Sequence, residues 1–342
     1  MRWDKQQVAA EAGRQLPGYR DPAVVRTFDA PEALDTRFYE VRAKSALNRV
    51  PEQSQMPFRW TVNPYRGCSH ACSFCFARPT HKYLDLDAGR DFEKEIVVKV
   101  NVPEVLRAEL HRPKWTHEHV ALGTNTDPYQ WVEGRYKLMP GIWEALRDSG
   151  TPASVLTKSP LLLRDLELMR QVPDISAALS VPTLEEKAWR STEPHTPHPR
   201  ARLEAVGELN RAGIPTSVLI APLMPGVNDS PEQVERIIEL ATEAGAVSIG
   251  GIALHLRGEV KGIFFDWLRS HRPDLLPLYE RLYARGAYAP PSERRRLAAL
   301  VRRPGNGIGR FSREAAERRA EAEAELAAKR RREAPPEQPR LF

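Results

Sequence analysis

Six extended apolar runs, separated by helical stretches, constrain this chain more than any other pattern in it. They are Phe58-Arg-Trp-Thr-Val-Asn63, His119-Val-Ala-Leu-Gly-Thr-Asn125, Ala153-Ser-Val-Leu-Thr-Lys158, Ile175-Ser-Ala-Ala-Leu-Ser-Val181, Pro215-Thr-Ser-Val-Leu-Ile-Ala-Pro222 and Val247-Ser-Ile-Gly-Gly-Ile-Ala-Leu254. Between them, Val102 to Leu110, Pro140 to Arg147, Leu161 to Gln171 and Arg200 to Arg211 carry helical patterns. Ser230-Pro-Glu-Gln opens a further helix, with serine as its N-cap and proline at its first position. A helix that returns the chain after each strand builds a parallel sheet with crossover connections. The expected fold class is therefore α/β, a partial (β/α)6 barrel with its chemistry at the C-terminal ends of the strands. The expected division is an N-terminal extension over 1–55, the core barrel over 56–270, a helical cap over 271–304, and a basic helical tail with an extended end over 305–342.

Composition narrows the setting. No apolar run approaches the roughly 18 residues that mark a spanning helix, and the start of the chain lacks the apolar stretch of a signal peptide. A cytoplasmic protein without a membrane partner is expected. The formal net charge of +6 is unevenly placed: from Arg281 onwards there are 16 Lys and Arg against 8 Glu, so residues 1–280 sum to −2. A basic tail suits nucleic-acid phosphates, and it equally suits an ordinary solvated Arg/Glu helix.

All three cysteines fall in Cys68-Ser-His-Ala-Cys72-Ser-Phe-Cys75. An odd count excludes a complete disulfide framework and favours metal ligation. Three thiolates can hold three irons of a [4Fe-4S] cluster and leave the fourth open to a small ligand, as reductive cleavage of S-adenosylmethionine (SAM) requires. Zinc held by the cysteines with His70 or His81 is the alternative metal.

The eight-residue motif, with Phe74 before its last cysteine, resembles the radical SAM superfamily. Asn63-Pro-Tyr-Arg-Gly-Cys68, Cys75-Phe-Ala-Arg-Pro-Thr-His-Lys-Tyr83, Thr126-Asp-Pro-Tyr-Gln130 and Thr157-Lys-Ser159 with Arg164-Asp165 look like the branch around spore photoproduct lyase. The resemblance implies that Cys68, Cys72 and Cys75 ligate the cluster and that SAM chelates the open iron. It also implies a 5′-deoxyadenosyl radical, a one-electron reductant of flavodoxin or ferredoxin type, and Phe74 packed near the adenine.

Other strand ends offer further candidates. Thr124 and Asn125, closing the second run, have groups for SAM, and Asp127 could accept a proton, although all three also suit a turn before Pro128. Lys158 and Ser180 close the third and fourth runs and suit the carboxylate or ribose of SAM. His255 and Arg257 close the sixth and could reach phosphates or merely cap a helix. Lys99 is a lone charge in an apolar run, either solvent-facing or turned to substrate. Glu193-Pro-His195 resembles a branch motif or is a plain connector.

One departure matters. Spore photoproduct lyase returns hydrogen from a cysteine outside the cluster, and Thr124 stands where that cysteine belongs, leaving Tyr83 or Tyr129 as substitutes. The expected activity is radical SAM chemistry on a substrate such as DNA. The alternatives are radical chemistry on protein, RNA or a metabolite, and a non-catalytic iron–sulfur or zinc nucleic-acid-binding protein. Gln338-Pro-Arg-Leu-Phe342 resembles peptides that dock on the bacterial sliding clamp.

Overall fold

The computed structural model describes residues 8–28, 35–54 and 56–302. Its strands are, in chain order, β1 (Val8–Arg14), β2 (Ala23–Phe28), β3 (Arg37–Val41), β4 (Leu47–Arg49), β5 (Trp60–Val62) and β6 (Tyr65–Arg66). There follow β7 (Glu95–Lys99), β8 (Val120–Leu122), β9 (Ala153–Thr157), β10 (Ser176–Ser180), β11 (Thr216–Leu223) and β12 (Ile249–Ala253).

The six expected runs become β5, β8, β9, β10, β11 and β12, paired in that order and parallel throughout. Every residue of β8 and β10 is buried, which is why these strands read as continuous apolar runs rather than alternating ones. Helices cover the outer face, among them Val102–Leu110, Leu138–Asp148, Pro199–Arg211 and Pro231–Glu243. Ser230 caps the last of these by accepting from the Gln233 amide at 3.2 Å. The stretch expected as one helix over 161–171 is instead 3-10 over Pro160–Asp165, then α over Leu166–Met169. Arg164 and Asp165 bind Glu133 and Tyr129 across that break, which turns the segment inward.

The stretch 1–55, expected as an extension, supplies four strands within its described part. β4 pairs antiparallel with β5 at the barrel edge. β1, β2 and β3 join β7 and β6 in a second sheet, ordered β1-β2-β3-β7-β6. Its faces alternate with period two. Phe38 packs on Trp131 at 5.5 Å and belongs to the barrel core, while Tyr39, Val41 and Val97 form a separate small core with Leu16, Leu84 and Leu86. The carboxylate buried in this sheet is paired: Glu95 takes the half-exposed Arg37 at 2.5 Å and the Tyr39 hydroxyl at 2.5 Å.

After β12, helices Val260–His271, Leu276–Leu282 and Pro291–Val301 close the described chain. Leu297 and Val301 of the last helix enter the barrel core. The expected tail helix and Gln338–Phe342 lie outside the described residues. Among the described residues no helix is long and apolar enough to cross a membrane.

Candidate active site

The cysteine loop leaves β6 through Gly67, whose φ of +78° suits glycine and whose added Cβ would lie 2.9 Å from the Phe92 carbonyl oxygen. The loop is then held by long-range polar contacts. Arg78, 1% exposed, donates from Nε to the Cys72 carbonyl (2.9 Å) and from Nη2 to the Ala71 carbonyl (3.2 Å). Its Nη1 reaches the carbonyls of Ala88 (3.1 Å) and Gly89 (3.0 Å), and Glu93 completes the set. From the opposite side, buried Gln130 accepts from the Ser69 amide at 3.0 Å and donates to the Gly67 carbonyl at 3.2 Å. The Ser73 amide donates to the Thr192 carbonyl at 2.9 Å.

Cys68 and Cys72 are buried and Cys75 is partly exposed. Backbone amides of His70 and Asp127 point at the Cys68 sulfur, and those of Ala77 and Arg78 at Cys75. Burial pushes all three thiols up from their ordinary range, and the neighbouring carboxylates Asp127 and Glu193 add to this at Cys68 and Cys72. Thiols so placed need a bound cation to be held as thiolates. Three soft donors on one loop with amides aimed at two sulfurs fit a three-cysteine [4Fe-4S] cluster. For the alternative zinc set, His70 turns Nδ1 to Asp127 at 3.5 Å and His81 bonds the Glu95 carbonyl through Nε2 at 2.9 Å, contacts that leave the other nitrogen of each ring without a hydrogen-bond partner among the described residues. Among the described residues no three His, Cys, Asp or Glu side chains gather around a single ion.

Three of the expected SAM contacts meet beside this loop. Lys158, just past β9, donates to Ser180 Oγ at 2.8 Å, and its ammonium lies 5.7 Å from the centre of the Phe74 ring. It also pairs with Glu193 Oε1 at 2.5 Å. Ser180 in turn donates to the Ala221 carbonyl at 3.1 Å, which ties β10 to β11. Glu193 is wholly buried. Burial alone would raise its pKa, but Lys158 and Arg202 outweigh that and leave it below the usual carboxylate value. Arg202, also wholly buried, binds Glu193 Oε2 (2.9 Å), the Ser180 carbonyl (2.9 Å) and Thr196 (2.5 Å). A carboxylate thus sits between two cations directly under the ammonium expected to face SAM.

At the end of β8, Gly123 has φ of +76°, and an added Cβ would lie 1.9 Å from the Leu156 carbonyl oxygen. This close approach presents Thr124 and Asn125, half-buried and with no hydrogen-bond partner for either side chain among the described residues. Asp127 acts as a strut rather than a free base. It accepts from Thr157 Oγ1 (2.6 Å) and from the amides of Tyr129 (2.9 Å) and Lys158 (2.7 Å).

Two expected catalytic residues are not brought to the cysteines. Tyr129 donates to Asp165 at 2.9 Å and accepts from Trp143 Nε1 at 2.7 Å, so its phenol faces the helical layer. Lys99 is buried in β7 and donates to the Asn63 carbonyl at 2.8 Å. Burial, with Arg66 nearby, pushes its pKa down to about 8. Sequence reasoning missed Gln130, Arg202 and the roles of Arg78 and Glu193. The available signal was the presence of Arg78, Gln130 and Glu193 inside motifs already singled out.

A model of the Radical SAM superfamily matches residues 62–241. An uncharacterized protein of Mycobacterium tuberculosis is 48% identical over 309 residues, spanning 88% of this chain and 91% of that protein. An uncharacterized protein of Methanocaldococcus jannaschii is 27% identical over 192 residues, 56% of this chain and 69% of that one. Among solved structures, spore photoproduct lyase complexed with dinucleoside spore photoproduct has a TM-score of 0.58 at 14% identity, covering 80% of this chain and 81% of that chain. The fold is thus shared with that lyase, and by the match across the barrel, together with the cysteine loop, the chain belongs to the radical SAM superfamily.

Proposed function

We propose that this protein is a radical SAM enzyme acting on nucleic acid, with Cys68, Cys72 and Cys75 as cluster ligands. The observation that carries the reading is the meeting of Phe74, Lys158 and Ser180 from three separate segments beside the cysteine loop. Held there by Cys68, Cys72 and Cys75, a cluster with SAM would supply the chemistry of hydrogen-atom abstraction. The chain's own residues bind and aim. Lys158 offers its ammonium to the SAM carboxylate, Ser180, whose proton is spent on the Ala221 carbonyl, offers a lone pair to a ribose hydroxyl, and Phe74 offers its ring to the adenine. Thr124 and Asn125 present unspent polar groups to the SAM amino end. Glu193 and Arg202 hold the Lys158 ammonium in place, and Asp127 ties the β8 and β9 ends together.

Nucleic acid as substrate is supported by the shared fold with a lyase solved with a dinucleoside photoproduct and by the surplus of 8 positive charges from Arg281 onwards, residues 1–280 summing to −2. Spore photoproduct repair itself is disfavoured, because all three cysteines are needed by the cluster and no thiol remains to return hydrogen. Of the two tyrosines that could stand in, the Tyr129 phenol is committed to Asp165 and Trp143, while Tyr83 is 75% exposed and uncommitted among the described residues. A flavodoxin or ferredoxin is the proposed electron source, and the cytoplasm the proposed location. Gln338–Phe342 is proposed to dock on the sliding clamp; a peptide of that sequence should compete with known clamp ligands, and no competition would remove that partner.

The substrate class is tested by deuterium transfer. Reduced enzyme with SAM and an oligonucleotide deuterated in its sugars and methyl groups should place label in 5′-deoxyadenosine. Label arising only from a deuterated peptide or cell metabolite fraction would reassign the substrate.

A further inference from the structure

The segment after β12 builds a second polar surface beside the cysteine loop. His255 forms a β-bridge with Tyr288, and the Leu256 amide donates to the Ala287 carbonyl at 2.8 Å. The two segments are further pinned where the Tyr283 hydroxyl donates to the Leu254 carbonyl at 2.8 Å. Phe76, next to the partly exposed Cys75, lies 6.0 Å from the His255 ring, and His255 lies 5.8 Å from Tyr288. Phe76 remains 51% exposed and Tyr288 44% exposed.

Two guanidiniums approach the Tyr288 ring, Arg257 at 5.1 Å and Arg294 at 6.0 Å from its centre. Arg257 also bonds the Tyr288 hydroxyl. Among the described residues neither arginine has a carboxylate partner. The nearby Glu259 and Glu293 are spent on Lys82 and Arg296. Exposed flat rings joined to two uncompensated cations suit a ligand with flat faces and negative charge. An acidic protein supplies the charge without the faces, whereas an unstacked nucleotide supplies both.

We propose that the rim formed by Phe76, His255, Arg257, Tyr288 and Arg294 holds a single-stranded stretch of nucleic acid, with a base on the exposed Phe76 ring and a phosphate at the guanidiniums gathered on Tyr288. This rests on the nucleic-acid reading above and adds the surface that carries it. The rim begins at the residue after Cys75, so a base lying on Phe76 is next to the cluster loop. A base must leave its duplex stack to lie there, so a single strand binds better than the same sequence in duplex form.

The test is fluorescence anisotropy of a labelled mixed-sequence single strand with the full-length protein, over a salt series and without SAM or reductant. It is therefore independent of SAM cleavage: a failed rim leaves the enzyme assignment standing, and failed cleavage leaves the rim standing. Phe76→Ala should weaken binding by about five- to 150-fold with an unchanged salt slope, whereas Phe76→Tyr should bind as wild type. R257Q/R294Q should weaken binding and lower the salt slope by about 0.7 for each phosphate that is no longer neutralised. Circular dichroism of each variant guards against misfolding. Wild-type affinity and slope in both Phe76→Ala and R257Q/R294Q, as expected if the basic tail alone binds, would overturn the proposal. So would equal displacement of the strand by polyglutamate of matched charge.

Discussion

Beside the cysteine loop, Arg78, Lys158 and Arg202 spend their charges on carbonyls and carboxylates, whereas on the rim after β12, Arg257 and Arg294 share one tyrosine ring and, among the described residues, no carboxylate. The first arrangement is buried and reciprocal. Removing one member strands the others in a low-dielectric interior, where an unpaired charge is costly. The second is exposed, and its cations stay hydrated until an anion displaces the water. Burial with pairing positions groups; exposure without pairing leaves them available. The same residue type, arginine, thus serves rigidity in one region and recognition in the other.

The contrast is broken or sharpened by substitution. Arg202→Ala should produce the largest loss of stability, about 3–5 kcal/mol, because Glu193 would then be buried with Lys158 as its one remaining partner. Urea unfolding measures it, and a loss no larger than that of R257Q/R294Q would break the comparison. Lys158→Met should weaken SAM binding by about ten- to hundredfold, the cost of losing a hydrogen bond to a charged group; equilibrium dialysis with the reconstituted protein checks this. Tyr129→Phe should lower stability by roughly 1–3 kcal/mol, since Asp165 and Trp143 lose a buried partner. Its SAM cleavage per folded molecule should be unchanged, and a lost cleavage activity would return Tyr129 to the chemistry.

Lys99 gives the smallest effect, and its sign follows from linkage. Its folded pKa of about 8 lies below the unfolded value, so between these two values the unfolded chain binds more protons. Stability contributed at this site therefore rises with pH from about 8 upwards, through the window bounded by the ordinary lysine value of about 10.4. Lys99→Met should lack that rise, so the difference in urea midpoints should shift in favour of the wild type as pH climbs through the window. A difference that is flat with pH would mean that Lys99 is charged without cost.

The barrel was legible in the chain because its central strands β8, β9 and β10 are buried almost throughout and its helices are amphipathic, so each of these elements carries its own local pattern. That Lys158 and Ser180 come together was legible for a related reason: a residue at a strand's C-terminal end is placed by the barrel itself. The second sheet was not. Its strands carry Arg26, Arg37, Glu40 and Glu95, which look solvated until the fold pairs Arg26 with Glu40 and Arg37 with Glu95, the latter 58 residues away. Gln130 and Arg202 escaped notice likewise, since their meaning lies in partners such as Ser69, 61 residues distant, and the carbonyl of Ser180. Tyr129 and Lys99 show the converse. Each occupies a suggestive place in a motif or apolar run, yet the structure spends its polar atoms on structural partners.

The most direct test of the central claim is SAM turnover by anaerobically reconstituted, reduced protein, measured beside Cys72→Ala. The account predicts methionine and 5′-deoxyadenosine in equal amounts from the wild type, together with the absorption of a [4Fe-4S] cluster, and neither the products nor an active cluster from the variant. Undiminished SAM cleavage by Cys72→Ala, or a fully loaded wild-type cluster that leaves SAM intact under reduction, would contradict it.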